Sequence, residues 1–189
     1  MARLILTLCA ALLSPLAQAL DWHALEPQLA RNEPVRGAFE QQKQLPFLQA
    51  PMVSAGDYLL VPGQGLIWSQ QTPWPQQTVL KGSEIWQDGQ PMASGGEAFA
   101  PLLGALLGGN LSQLADQFEI DAEGSPEQWT LTLTPKQAPL STLFASIALS
   151  GTAQLDHIRL VDSAGAPTEI ALLNTQPAQL TEPERAQLR

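Results

Sequence analysis

Two histidines, one cysteine and eighteen carboxylates stand first among the groups in this 189-residue chain that could do acid–base, nucleophilic or metal chemistry. His23 follows Trp22 in a helix-like stretch, and His157 lies between Asp156 and Ile158 in a strand-like one. Neither stands at metal-ligand spacing, and one Asp–His neighbour pair does not make a triad. Ser94-Gly95-Gly96 lacks the strand–turn–helix setting of a nucleophile elbow. Gly104-Ala105-Leu106-Leu107-Gly108 is glycine-bracketed but apolar, with no Gly-Lys-Ser/Thr after it, so it is not a phosphate loop. Lys43, Lys81 and Lys136 are isolated and form no basic patch. No enzymatic role, cofactor or metal is expected, and whatever binds is expected to use apolar area.

Charge and the N-terminus narrow the field further. The net charge is −9, which opposes binding to a polyanionic backbone and excludes nucleic acid as the expected partner. Met1-Ala2-Arg3, an apolar run from Leu4 to Leu16 and Ala17-Gln18-Ala19 form the pattern of a cleaved secretory signal over residues 1–19. The mature chain is then a single domain, residues 20–189, starting at Leu20 and located in the periplasm. Loss of Arg3 leaves eight basic residues against eighteen acidic ones, a net charge of −10. Cys9 leaves with the signal. Leu8 before it is not the small residue that lipid attachment requires, so neither a lipid anchor nor a disulfide is expected.

The elements that would position an apolar site are legible from periodicity. Residues 21–31 predict a helix capped by Asp21, with Trp22, Leu25 and Leu29 on one side and Pro27 awkward inside it. A long bent strand follows from Val35, a second over residues 53–61, then a turn at Pro62-Gly63-Gln64-Gly65. Strands are predicted at Leu66-Ile67-Trp68, at residues 76–80 and at Glu84-Ile85-Trp86-Gln87, the last leading into an Asp88-Gly89 hairpin signal. Residues 98–107 break the texture: they are apolar almost all round, and Leu102, Leu103, Leu106 and Leu107 fit a helical period. Asn110 caps a second short helix with Leu111 and Leu114; Asn110-Leu111-Ser112 also matches a glycosylation sequon.

Strands then return, at Phe118 and Ile120 and in the clean alternation of Trp129-Thr130-Leu131-Thr132-Leu133-Thr134. One helical turn near Leu140, an alternating run over residues 145–149 and strands over residues 155–161 and 168–173 complete the pattern. Residues 181–189 read as a polar end or a fraying helix. The whole predicts one many-stranded antiparallel sheet interrupted by helices.

Several of these segments, in this order, resemble the LolA outer-membrane lipoprotein carrier family. They are Val35-Arg36-Gly37-Ala38-Phe39-Glu40-Gln41, Ser54-Ala55-Gly56-Asp57-Tyr58-Leu59, Pro62, Leu66-Ile67-Trp68 and Pro73, then Phe118 and Trp129 to Pro135. Residues 158–170, with Asp162 and Gly165, are similar to the family's closing hairpin. Leu106-Leu107-Gly108-Gly109-Asn110-Leu111 and Leu114 resemble a divergent branch of it. The resemblance implies a mainly β fold with helices: an unclosed, curved antiparallel half barrel with a helical lid. It also implies a periplasmic carrier or chaperone for the acyl chains of a lipoprotein or of a glycolipid or fatty-acyl product. An inner-membrane exporter and an outer-membrane acceptor are then the implied protein partners, and a monomer is expected. The family carries an arginine just before the proline, thought to latch the lid by hydrogen bonds; Val61 stands there, so the lid is expected to be held by packing, or held less.

On this fold the expected acyl-chain lining is Phe39, Phe47, Leu60, Ile67, Trp68, Trp86, Leu103, Leu106, Leu107, Phe118, Trp129 and Leu131. The alternative is a protein-binding sensor or scaffold of the same fold. A closed, filled cavity and a long unpaired strand edge would favour it.

Overall fold

A computed structural model describes residues 20–92 and 96–189, with residues 96–101 described in backbone only. The signal reading on residues 1–19 and the Ser94-Gly95 reading lie outside the described residues. The element order is α1 (Trp22–Leu29), β1 (Val35–Lys43), β2 (Met52–Val61), β3 (Gly65–Thr72), β4 (Gln76–Lys81), β5 (Glu84–Gln87), β6 (Gln90–Pro91), α2 (Gly96–Gly108) and α3 (Leu111–Ala115). There follow β7 (Phe118–Ser125), β8 (Gln128–Pro135), α4 (Leu140–Leu143), β9 (Phe144–Gly151), β10 (Leu155–Asp162), β11 (Pro167–Pro177) and α5 (Glu182–Gln187).

All strands join one antiparallel sheet in the order β6-β5-β4-β3-β2-β1-β11-β10-β9-β8-β7. β6 and β7 do not pair with each other, so the sheet is an unclosed half barrel. The chain's first and last strands, β1 and β11, meet in its middle. The exposed side of β7 is guarded by Glu119 and Glu123, with Asp121 between them, which discourages pairing with another chain.

Two faces with two different covers follow from the side-chain period of two. On β2 to β4, Tyr58, Leu60, Leu66 and Leu80 join the main core on the concave face. Their immediate neighbours Leu59, Val61, Ile67 and Val79 form a second cluster on the convex face. Strands buried on both faces need a layer on each side. The helices α1, α2 and α3 cover the concave side, and residues 178–188 cover the convex one with Ala178, Leu180 and Leu188.

The C-terminal residues are therefore not a fraying end. β11 runs on to Pro177, and α5 begins with a reciprocal capping box in which Thr181 and Glu184 satisfy each other's backbone N–H groups. Arg36 donates to Glu184 at 3.3 Å and to the Gln179 carbonyl at 3.0 Å, which fastens the segment to β1.

α1 starts at its predicted Asp21 cap, which accepts from the His23 N–H at 3.0 Å. It runs through Pro27 to Leu29: in so short a helix the buried anchors Leu25 and Leu29 outweigh one lost hydrogen bond. His23 is engaged with Asp21 and stacked on Trp22, while His157 is an exposed residue of β10.

Candidate functional site: a leucine-filled half barrel beside a glycine cleft

The concave face is built from alternate strand residues. Phe39 of β1 and Trp68 of β3 stack at 3.8 Å across β2, where the register partner of Phe39 is Gly56, with no side chain, and that of Trp68 is Tyr58. Tyr58 reaches over Gly37 to place its hydroxyl in hydrogen-bond contact with Thr175 Oγ1 of β11. A Cβ on Gly37 would stand 2.9 Å from the Tyr58 ring, so that position must be bare. Burial pushes the Tyr58 hydroxyl pKa above its ordinary value. Deeper in, Phe118, Trp129, Leu131, Leu133, Ile147 and Leu149 are sealed from solvent, and the Trp129 indole N–H donates to the Thr152 carbonyl at 2.7 Å.

The lid is α2 and α3 together with α1. α2 packs against β2, β4 and β5, while α1 and α3 lie over β7. From Leu102 to Gly108 the lid helix contains only Leu, Ala and Gly, so no side chain in that run can form a hydrogen bond. Leu102, Ala105, Leu106 and Leu107 are buried in the main core with Leu111 and Leu114 of α3. The concave face is thus not an open cavity but one filled by the lid's own leucines.

Polar ties act at the lid's corner. The Arg31 N–H donates to the Gly108 carbonyl at 2.9 Å. Glu26 accepts from the Ser112 N–H at 2.8 Å and from its hydroxyl at 2.6 Å, which holds the Glu26 pKa below the usual carboxylate range. Asn110 caps α3 by accepting from the Gln113 N–H at 3.2 Å, the first of its two sequence readings. The Val61 side chain faces the other way, into the convex cluster.

Beside the lid lies a cleft of about 390 Å³. Its walls include Gly104, Ala105 and Gly108 of α2, Leu60, Leu66 and Leu80 of the sheet, the turn at residues 62–64, and Arg31, Asn110 and Gln113 at the mouth. A Cβ on Gly104 or Gly108 would meet nothing within 4 Å, so this face of α2 is a bare wall one turn long. The volume lies within the roughly 300–1,000 Å³ of small-ligand clefts.

Of the twelve residues expected to line the site, Phe39, Leu60, Trp68, Leu103, Leu106, Leu107, Phe118, Trp129 and Leu131 come together in or against the concave core. Three do not. Ile67 and Trp86 belong to the convex cluster because Trp68 and Ile85, adjacent to them in their strands, take the concave positions. Phe47 is 80% exposed in the loop after β1, beyond the last paired residue of that strand. Sequence reasoning missed the cleft glycines and Arg31, which carry no apolar periodicity, and left out Leu102 and Leu66, which do. Among the described residues no group of three or more His, Cys, Asp or Glu is placed to hold a metal, and no helix is long and apolar enough to cross a membrane.

An unclosed antiparallel half barrel whose concave face is stoppered by an apolar helical lid defines the architectural class. The chain belongs to the outer membrane lipoprotein carrier protein LolA-like family, whose model matches residues 14–187. An outer-membrane lipoprotein carrier protein of Alkalilimnicola ehrlichii is 27% identical over 143 residues, 73% of this chain and 59% of that protein. The chain thus matches somewhat over half the length of that relative. Among solved structures, a LolA superfamily protein of Nitrosomonas europaea superposes at a TM-score of 0.47 and 10% identity, covering 87% of this chain and 97% of that one. A DUF1329 family protein of Desulfovibrio piger gives 0.48 and 11%, covering 89% and 97%.

Proposed function

We propose that this protein is a periplasmic carrier or chaperone that shelters acyl chains of a lipoprotein or other lipid, and that those chains take the place of the lid's leucines on the concave face. The observation that carries the reading is the lid helix. Its leucines fill the concave face through apolar contact alone, so hydrocarbon of another molecule can replace them without leaving a polar group unpaired. The glycine-walled cleft beside α2 gives a chain a place to begin insertion between lid and sheet. Each methylene that follows contributes roughly 0.8 kcal/mol. Family membership supports the same direction, with a membrane source and an outer-membrane acceptor as partners. No chemical step is part of the reading.

A fluorescent fatty-acid displacement titration tests it. Affinity is expected to rise with chain length until the cavity is full, and to be nearly equal at low and high salt, since the acidic chain offers no basic cluster to screen. Gly104→Leu fills open space on a helix of ordinary backbone geometry, so the protein should stay folded while loading is weakened at least about tenfold, the equivalent of two lost methylenes. Wild type that binds no acyl chain of any length overturns the carrier reading. The filled concave face then favours the second one, a module of the same fold that binds protein without moving lipid, and copurification of a stoichiometric protein partner from the periplasm would support it.

A further inference from the structure

The two ends of the half barrel differ in kind. One end carries the turns at residues 62–64, 82–83, 126–127 and 152–154, tied to α1 through Gln28, which donates to the Pro126 and Thr152 carbonyls. The other carries the loops at residues 44–51 and 73–75, the turn at residues 88–89, the loop that contains α4, and the turn at residues 163–166. Among the described residues most exposed large apolar side chains stand at this second end: Phe47, Leu48, Val53, Trp74 and Leu143, with only Met92 and Leu173 elsewhere.

These tips are held rather than loose. Gln44 Nε2 donates to the Leu48 carbonyl at 3.1 Å, and the Leu48 N–H donates to the Leu45 carbonyl at 3.0 Å. Gln70 Nε2 donates to the Trp74 carbonyl at 3.0 Å. Pro46 and Pro51 flank the first aromatic tip, and Pro73 and Pro75 the second. From Gln44 to Leu80 the chain carries a single charged residue, Asp57, and its carboxylate is hydrogen-bonded by Gln71.

We infer that this end of the molecule is a docking rim for the interface of a neutral, zwitterionic lipid bilayer. The charge pattern selects the partner. In a chain of net charge −9, the two aromatic tips, residues 44–51 and 73–75, carry no ionised side chain, so they have no repulsion from a neutral headgroup layer and no charge to desolvate on entering it. An anionic surface would call for a cluster of lysines and arginines, whereas this end carries only the isolated Lys43 and Lys136, neither of them on an aromatic tip. The shape agrees. Phe47 and Trp74 project from two separate loops on adjacent hairpins. Side chains of this kind settle individually at a water–hydrocarbon boundary, with amides and prolines left at headgroup level. A protein partner calls instead for a continuous buried patch of about 800 Å² on each side.

The surface is separate from the lid and cleft, so vesicle binding and acyl-chain loading can succeed or fail independently. The exported protein, its N-terminus verified by mass spectrometry, is floated with phosphatidylcholine vesicles at low and high salt. Binding is expected at both, and Phe47→Ser/Trp74→Ser should reduce it at least about tenfold without changing the thermal midpoint, since both residues are exposed. Met92→Ser, which removes an exposed apolar side chain elsewhere, should leave it unchanged. An environment-sensitive fluorophore at Ala50 should shift blue on docking, whereas one at Gly82, at the opposite end, should not. Wild type that stays with the buffer, a double variant that floats equally well, or binding that needs anionic lipid and disappears in salt each overturns the inference.

Discussion

The sheet has two covers, and they are made on opposite principles. The lid on the concave face presents Leu102, Leu106 and Leu107 to the core and has no polar side chain from Leu102 to Gly108. The strap on the convex face is mostly polar and contributes only Ala178, Leu180 and Leu188 to its cluster. It is fixed by a capping box and by Arg36 bonded to Glu184 and Gln179. Apolar burial is strong but indifferent to what supplies the apolar atoms. Hydrogen bonds of defined geometry are weaker but accept only their own partners. On the proposed carrier reading, the first kind of cover is the one that hydrocarbon replaces, and the second stays fixed.

The comparison breaks most visibly in stability. Leu106→Ala is expected to cost about 2–5 kcal/mol in urea unfolding, since the side chain is buried in the main core and its loss leaves a cavity there. Leu188→Ala, at the edge of the smaller cluster, is expected to cost about 1–2 kcal/mol. Equal losses would mean that lid and strap are held alike, and the distinction between an exchangeable and a fixed cover would fail. A smaller contrast separates two adjacent glycines at the lid's corner. Gly109 has φ +68°, and a Cβ there would lie 2.1 Å from the Leu29 carbonyl oxygen, so Gly109→Ala is expected to cost about 1–3 kcal/mol. Gly108→Ala meets open space and should be neutral or stabilise by up to about 1 kcal/mol. Thermal midpoints of the two variants on opposite sides of wild type would sharpen the picture of a corner docked tightly on α1 with a free wall just before it.

Much of this was legible in the sequence, and the misses have physical causes. Asp21, Asn110 and the Asp88-Gly89 hairpin announced their elements because caps and turns are local chemistry. The lid helix announced itself because its apolar period is unmistakable. The expectation that Ile67 and Trp68 line one side together fails on the strand period, since consecutive residues point to opposite faces. The strap was hidden for a different reason. Its sequence is polar, and the call for a cover came from elsewhere in the chain, in the unbroken buried run Tyr58-Leu59-Leu60-Val61. The cleft left no pattern at all, since it is made by missing side chains.

Acid should separate the polar ties from the apolar packing with the smallest effect of the three. Hydrogen bonds from Ser112 depress the Glu26 pKa. Burial pushes that of Glu184 up, but the Thr181 N–H, its side chain and Arg36 outweigh it and leave the pKa lowered. A carboxylate whose folded pKa is depressed contributes stability above its unfolded pKa and loses it as pH falls through the folded one. Both ties should therefore persist at neutral pH and weaken below the ordinary glutamate range. The leucine packing of α2, which titrates nothing, should not change. Amide hydrogen exchange, corrected for its intrinsic pH dependence, reads the two corners separately: Ser112 for the lid and Thr181 for the strap should lose protection on acidification before the buried amides of β8 do. Glu26→Gln should reproduce the lid-corner loss at neutral pH while leaving the urea midpoint close to wild type, because the group is near the surface and the tie is local. If Glu26→Gln instead destabilises as much as Leu106→Ala, the lid is latched by its polar corner, and acyl chains would have to break that latch before they could displace a single leucine.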